Sequence, residues 1–309
     1  MKTEKSPYLC TTYFDVDGTL LEHKKLNGQH SNAFSDLVKY LNPNSVVLKD
    51  GYYISSNLSF SGIQYINNVV TGRTFLQVVE DRKLAPYLKL CSAIIANVGT
   101  EIYVRDAKGI WKPDGDYTHH VRACTNYNPD TVRTSLSTLN ILTEQPAEFN
   151  SELKLSYYAP SSVGTSAEVA ELVHLTLMSS GVNVSYPVVS LDPVRGDYNV
   201  DLLASNKGDA IAYIHSIVAE NIHRFYPAAK ILVGAAGDTG NDAASLQAVY
   251  KLASNMNYKG FFIAPSNATQ ELHDVLHALP PALGLTILTP QAEDAGGVLQ
   301  GLKTIEKQL

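Results

Sequence analysis

The chain has 309 residues, a formal net charge of -6, 45% hydrophobic and 17% charged residues. At roughly 100–200 residues per domain this length suggests two domains with a sizeable core and excludes global disorder. The negative balance argues against a general nucleic-acid binder, which needs clustered Lys and Arg, but not against a small phosphorylated molecule.

Three widely spaced cysteines, Cys10, Cys91 and Cys124, contain no CxxC pair and make a poor disulfide framework, so they read as reduced thiols of a cytoplasmic protein. Met1 to Pro7 is polar and lacks the apolar region of a signal peptide, and no run reaches the ~18 apolar residues of a membrane span. The triplets at Asn57, Asn183 and Asn267 read as chance matches to the glycosylation pattern.

Tyr8 to Phe14 is apolar, β-branched and aromatic, and reads as a strand ending at Asp15. Asn32 to Leu41 reads as a helix with Phe34, Leu37, Val38 and Leu41 on one stripe. Val46 to Ile66 has turn signals that would suit a hairpin. Tyr65 to Val70 reads as a strand, Thr74 to Leu90 as a helix broken at Pro86, and Ala93 to Val98 as a strand closed by Gly99.

From Tyr103 to Leu203 the texture changes. Pro113 to Asp116 is a turn, Leu153 to Tyr158, Val182 to Tyr186 and Asn199 to Leu203 read as strands, and Ala167 to Ser179 as a helix. Alternation of strand and helix then resumes: a helix capped by Asn206 and running to Val218, a strand at Lys230 to Val233, a helix after Asp238 to about Leu252, a strand at Gly260 to Ala264, and a helix from Val298 to Gln308. Such alternation implies a mainly parallel sheet, with ligands bound beyond its carboxyl ends.

Those ends carry the chemistry. Asp15-Val16-Asp17-Gly18-Thr19-Leu20 places two carboxylates two residues apart, an arrangement that repels itself unless a cation such as Mg²⁺ is present. An EF-hand needs Gly at position 6 and Glu at position 12, which the run from Asp15 lacks. A solvated acidic turn is the bland alternative. Gly237-Asp238-Thr239-Gly240-Asn241-Asp242 adds carboxylates at a strand-to-helix turn. The glycine spacing does not match a dinucleotide fingerprint, although a plain capped turn would look similar. Thr71-Gly72-Arg73 offers a hydroxyl and backbone N–H groups to a phosphate, and Lys207 supplies a cation at a helix start. Four such turns in this order are improbable by chance.

In that order the four segments resemble the motifs of the haloacid dehalogenase superfamily. The insert between Gly99 and Lys207 resembles its type IIB cap. Asn97-Val98-Gly99-Thr100-Glu101-Ile102, Lys154-Leu155-Ser156-Tyr157-Tyr158, Ser266-Asn267-Ala268 and Gly296-Gly297-Val298 resemble segments of the sucrose-phosphatase-like branch. The resemblance implies an α/β fold: a Rossmannoid core over 1–102 and 204–309 with a mainly parallel sheet, and an inserted α/β cap over 103–203. It implies a Mg²⁺-dependent phosphatase acting on a small phosphorylated substrate such as a sugar phosphate, with no nucleic-acid or membrane partner.

In that scheme Asp15 is the nucleophile and Asp17 the acid/base. Thr71, Gly72, Lys207 and Asn241 hold the phosphate. Asp15, the Asp17 carbonyl and Asp238 hold the metal, and Asp242 orients Lys207 or a metal-bound water. Glu101, Tyr157 and Asn199 are candidates for sugar hydroxyls. Trp111 is a candidate for stacking or packing, and His119 and His120, pointing to opposite faces of a strand, read as surface residues. The Asp15-to-Thr71 interval is longer than in the relatives by the stretch around Val46 to Tyr65, which bears on substrate choice or oligomerisation. A phosphomutase using the same aspartyl-phosphate and a non-catalytic sugar-phosphate binder are the other readings.

Overall fold

The computed structural model describes residues 8–22, 32–50, 52, 54, 62–182, 187–192, 195–255, 258–282 and 284–309. Strand β1 (Tyr8–Phe14) is buried at all seven positions, as expected of a central strand covered on both faces. Helix α1 (Ala33–Leu41) buries Leu37 and Leu41, with Phe34 and Val38 packed beside them, so the predicted stripe is the packed one. Then follow β2 (Ile63–Val70), α2 (Phe75–Val79), α3 (Ala85–Leu88), β3 (Cys91–Ala96), β4 (Glu101–Arg105) and β5 (Trp111–Pro113). Where one broken helix was expected over Thr74 to Leu90 there are two short ones. Thr74 and Gln77 form a reciprocal capping box on α2, and Pro86 sits in the first turn of α3, where its missing N–H costs nothing.

A second compact unit covers Gly115–Asn206. It contains α4 (Gly115–Cys124), α5 (Pro129–Leu136), β6 (Thr143–Glu144), β7 (Lys154–Ala159), α6 (Ser166–Ser179), β8 (Val188–Leu191) and β9 (Tyr198–Leu203). Its antiparallel sheet has the order β6-β7-β9-β8. The core joins Leu155, Tyr157 and Val200 of the sheet to Val132 and Leu136 of α5 and Val169, Val173 and Leu177 of α6. His119 and His120 are exposed as expected, but on α4 rather than on a strand.

The chain re-enters the first unit at α7 (Lys207–Phe225), followed by β10 (Lys230–Ala236), α8 (Ala243–Asn255), β11 (Lys259–Ile263), α9 (Gln270–Ala278), β12 (Leu285–Leu288) and α10 (Asp294–Gln308). Helix α7 runs past Val218 because Ala219 and Ile222 continue its buried stripe. Val182 to Tyr186, read as a strand, lies almost wholly outside the described residues, as do Met1 to Pro7 and the triplets at Asn57 and Asn183.

The first unit holds one eight-stranded sheet in the order β12-β11-β10-β1-β2-β3-β4-β5. The pairs from β12 through β3 are parallel and the last two are antiparallel. β4 and β5 continue this sheet, so the first compact unit runs to Asp114 and resumes at Lys207, beside the expected bounds of 1–102 and 204–309. One face is covered by α1 and α10, whose Leu37, Leu41, Val298 and Leu302 pack on Phe14, Val69 and Phe261. The other face carries α8: a Cβ on Gly260 would meet Ala253 and Val249, while its neighbour Phe261 points the opposite way. In register, Phe14 lies between Val69 and Ala236, so β1, β2 and β10 end together.

Candidate active site

At that shared edge β1 gives way to the loop Asp15–Leu21. Val16 and Leu20 are buried in the core, and the carbonyl of Val16 accepts from the N–H groups of Leu20 and Leu21. Gly18 takes φ 76°, a conformation other residues adopt with strain, which lets the chain fold back so that its N–H reaches the Leu21 carbonyl at 2.7 Å. The loop is braced from outside by Asn267, whose Nδ2 donates to the Gly18 carbonyl at 2.6 Å and to Asp294 Oδ1 at 3.2 Å. That engagement agrees with reading the Asn267 triplet as chance. As a result the Asp15 side chain is 9% exposed and points inward, whereas that of Asp17 is 43% exposed.

Lys207, at the start of α7, is completely buried. Its Nζ donates to Asp15 Oδ1 at 2.8 Å, to Asp242 Oδ1 at 2.6 Å and to Asn241 Oδ1 at 3.0 Å. All three ammonium hydrogens are thereby used, which is what makes a buried Lys tolerable. Asn241 Oδ1 also accepts from the Thr239 hydroxyl. These two donors fix the orientation of its amide.

The turn after β10 supplies the remaining acids. Asp242 Oδ2 accepts from the N–H groups of Asp238 and Thr239, closing a one-turn 3₁₀ helix over Gly240–Asp242. Gly237 is required here by space, since a Cβ would lie 2.4 Å from Cβ and Cγ of Asp242. Thr19 donates to Asp238 Oδ1 at 3.2 Å, tying the two acidic loops together.

Asp15, Asp238 and Asp242 offer carboxylate oxygens within 4.8 Å of one another. Burial, and then Asp242, push the Asp15 carboxyl well above the ordinary carboxylate range against the pull of Lys207. The same two causes push Asp238 up to about 7. Burial alone would lower the Lys207 ammonium, but Asp15 and Asp242 outweigh it and raise it. Three buried acids against one lysine are short of positive charge. Hard oxygen donors in this setting suit a divalent cation such as Mg²⁺.

Thr71 follows β2. It is buried, and its hydroxyl accepts from the Arg73 N–H at 3.2 Å. Gly72 beside it is exposed. This turn is held by the next one: Val98 N–H donates to the Thr71 carbonyl at 3.0 Å and Asn97 N–H to the Arg73 carbonyl at 2.9 Å. Both donors sit at positive φ, 60° for Val98 and 49° for Asn97. A left-handed β-branched residue is costly, and such strain persists where surrounding contacts over-determine it.

The structure therefore brings together Asp15, Lys207, Asn241, Asp238 and Asp242, with Thr71 and Gly72 at the end of β2, the strand beside β1. Asp17 does not join the carboxylate cluster with its side chain. Its carboxylate is instead gripped by Arg73, which the sequence marked only as part of a turn, and Arg73 is held in turn by Asp81. Glu101 accepts from the Tyr103 hydroxyl at 3.0 Å. In the second unit Tyr157 packs into the core, and Asn199 Oδ1 accepts from Gln145 Nε2 at 3.0 Å. Trp111 stacks under the Arg105 guanidinium at 4.1 Å, a packing role.

Known proteins share this arrangement of elements. The family model described as sucrose-6F-phosphate phosphohydrolase matches residues 62–305. A sucrose-phosphatase from Synechocystis sp. PCC6803, solved with sucrose and phosphate, superposes with a TM-score of 0.65 at 20% identity, over 97% of this chain and 98% of that one. The haloacid dehalogenase-like hydrolase protein yhjK of Bacillus subtilis gives 0.56 at 17% identity, over 98% and 96%. No curated protein sequence matches significantly.

Proposed function

The chain belongs to the sucrose-6F-phosphate phosphohydrolase family and is a phosphoric monoester hydrolase of the haloacid dehalogenase type, and from that premise we propose that it is a Mg²⁺-dependent sugar-phosphate phosphatase working through Asp15. The observation that carries this is the buried Lys207, bonded at once to Asp15, Asn241 and Asp242 beside Asp238. A lysine with that donor set fixes one oxygen of Asp15 and adds charge beside the other.

Asp15 attacks phosphorus, the bond from phosphorus to the sugar oxygen breaks, and an aspartyl-phosphate forms. Asp17 gives its proton to the departing oxygen. It then takes a proton from water as that water attacks phosphorus, releasing inorganic phosphate and restoring Asp15. Lys207, Asn241, Thr71 and the Gly72 N–H stabilise charge on the transferring group. Asp15, the Asp17 carbonyl and Asp238 would hold Mg²⁺, which supplies charge neutralisation on the phosphoryl oxygens. Asp242 keeps Lys207 in place.

We assign the second unit, Gly115–Asn206, as the cap that selects the sugar, and keep Asn199, Tyr157 and Glu101 as candidates for sugar hydroxyls. No helix among the described residues is long and apolar enough to cross a membrane, and the three cysteines are free thiols.

The test is phosphate release from a panel of sugar phosphates including sucrose 6-phosphate, with Mg²⁺, with chelator, and with Asp15→Asn. Turnover that disappears with chelator and in the variant is expected. Full activity in Asp15→Asn would refute the assignment.

A further inference from the structure

Asp17 is a partly exposed residue of an otherwise largely buried loop, and its carboxylate is not left to find its own rotamer. Arg73 Nε donates to Oδ2 at 2.9 Å and a terminal guanidinium nitrogen donates to Oδ1 at 2.5 Å. Two parallel bonds from a planar fork fix both the position and the plane of a carboxylate, which a lysine cannot do.

The fork is itself anchored. Its other terminal nitrogen donates to Asp81 Oδ2 at 2.8 Å, while Asp81 Oδ1 accepts from the Lys83 N–H at 2.8 Å. The backbone of Arg73 is held through its carbonyl by Asn97, from the turn that carries Val98 at φ 60°. The path from the Lys83 backbone to the Asp17 oxygens therefore passes through charge-assisted bonds, with the arginine's charge shared between two carboxylates.

An arginine beside a phosphate site would ordinarily be read as a phosphate ligand. Commitment of three of its nitrogens to Asp17 and Asp81 points elsewhere. We propose that Arg73, anchored by Asp81, is a positioning residue that sets the Asp17 carboxylate for proton transfer to the leaving oxygen. This rests on Asp17 being the acid/base group of the reaction given above.

The test uses aryl phosphates, so it does not depend on the natural sugar. Nitrophenolate departs without a proton, whereas phenolate needs one. Asp17→Asn is the reference for losing the acid, and its kcat/KM should fall far more for phenyl phosphate than for p-nitrophenyl phosphate. Arg73→Ala should show the same bias, with about 10- to 100-fold extra loss on phenyl phosphate, within the ~10²–10⁴ range of a complete acid–base contribution.

Asp81→Asn leaves Asp17 and Arg73 in place, keeps an oxygen for the Lys83 N–H, and should show the bias in weaker form. It carries the test alone if Arg73→Ala does not fold. The inhibition constant of inorganic phosphate should be unchanged in Asp81→Asn.

Equal losses on both esters, with weakened phosphate inhibition, would make Arg73 a phosphate ligand and overturn the proposal. A gain on phenyl phosphate would overturn it too, since Arg73 would then be holding Asp17 away from its work. Bias in Asp17→Asn without bias in either other variant would sink only the positioning role. No bias in Asp17→Asn would remove the acid reading beneath it.

Discussion

Replacing Lys207 with Met tests whether the site is an electrostatic unit. The two side chains are similar in length, so the main change is loss of the ammonium that bonds Asp15, Asp242 and Asn241. Three carboxylates with oxygens within 4.8 Å would then share a buried space with no lysine among them. Breaking a buried pair by removing one partner costs about 3–5 kcal/mol. At about 2–4 °C per kcal/mol for a unit of this size, Tm should fall by roughly 6–20 °C in the presence of chelator.

The loss should depend on pH. Asp15 and Asp238 have folded values raised above the ordinary one, Asp238 from 3.8 to about 7. A raised carboxyl is tolerated when protonated and becomes a burden as pH climbs from the unfolded value through the folded one. Lys207 pulls both Asp15 and Asp238 down, so without it they are raised further and the variant should lose more at pH 8 than at pH 5. Mg²⁺ should restore part of the loss and raise Tm more in the variant than in the wild type, because native-state ligands stabilise by mass action and the competing ammonium is gone. Calorimetry at both pH values, with chelator and with Mg²⁺, reads all of this. A Tm within about 2 °C of wild type at pH 8 with chelator would refute the charge argument.

Two other perturbations probe the scaffold. His215 is completely buried against the edge of Tyr258, neither ring nitrogen has a hydrogen-bond partner among the described residues, and burial lowers it from 6.5 to about 4. The unfolded chain takes up that proton first, so stability is intact above 6.5 and falls as pH drops toward 4, by about 3 kcal/mol. His215→Phe should flatten denaturant-derived stability across that window, and an unchanged slope would refute the assignment. Gly237→Ala puts a methyl into Asp242. It should cost about 1–3 kcal/mol, read by urea unfolding, and weaken Mg²⁺-dependent turnover at the same time. Wild-type stability would show that the turn gives way without strain.

Much of the site is legible in the sequence because its acids follow strands. Asp15 follows a fully buried strand, and Asp238 comes just beyond Ala236, so placing β1 and β10 side by side places the acids. Lys207 is legible as a helix start, although its complete burial follows only from the partners that meet it. Arg73 and Asp17 are 56 residues apart, and their pairing depends on the parallel register of β1 and β2. No local pattern carries that information.

The expected 102/204 bounds follow the texture of the chain for a related reason. The hairpin of β4 and β5 is short and partly exposed, so its texture resembles the second unit although its hydrogen bonds belong to the first sheet. The hairpin expected within Val46 to Ile66 falls largely on residues outside those described, and the described ones are tied to other parts of the chain. Val46 N–H reaches the Tyr65 carbonyl, Leu48 N–H reaches Ser92 Oγ, and Tyr52 donates to Asp114. These are attachments to the sheet and to Asp114, where the first segment of the first unit ends, set by partners far along the chain.

The departures from ordinary folding rules gather at one edge of the sheet. A buried lysine, three crowded acids, left-handed Val98 and Asn97, and a glycine with no room for a methyl lie on turns at the carboxyl ends of the strands or, for Lys207, at a helix start facing them. Each costs stability alone. They persist because each is held by another: Asp242 bonds Lys207 and the Asp238 turn, and Val98 and Asn97 bond the turn that presents Arg73. A single substitution there should consequently weaken folding and function together. His215, whose orphaned nitrogens belong to no such network, should be replaceable by an apolar side chain with gain in stability and little change in turnover. A His215→Phe variant that folds more tightly but has lost activity would mean that the edge and the core are coupled, and that this division of the molecule is wrong.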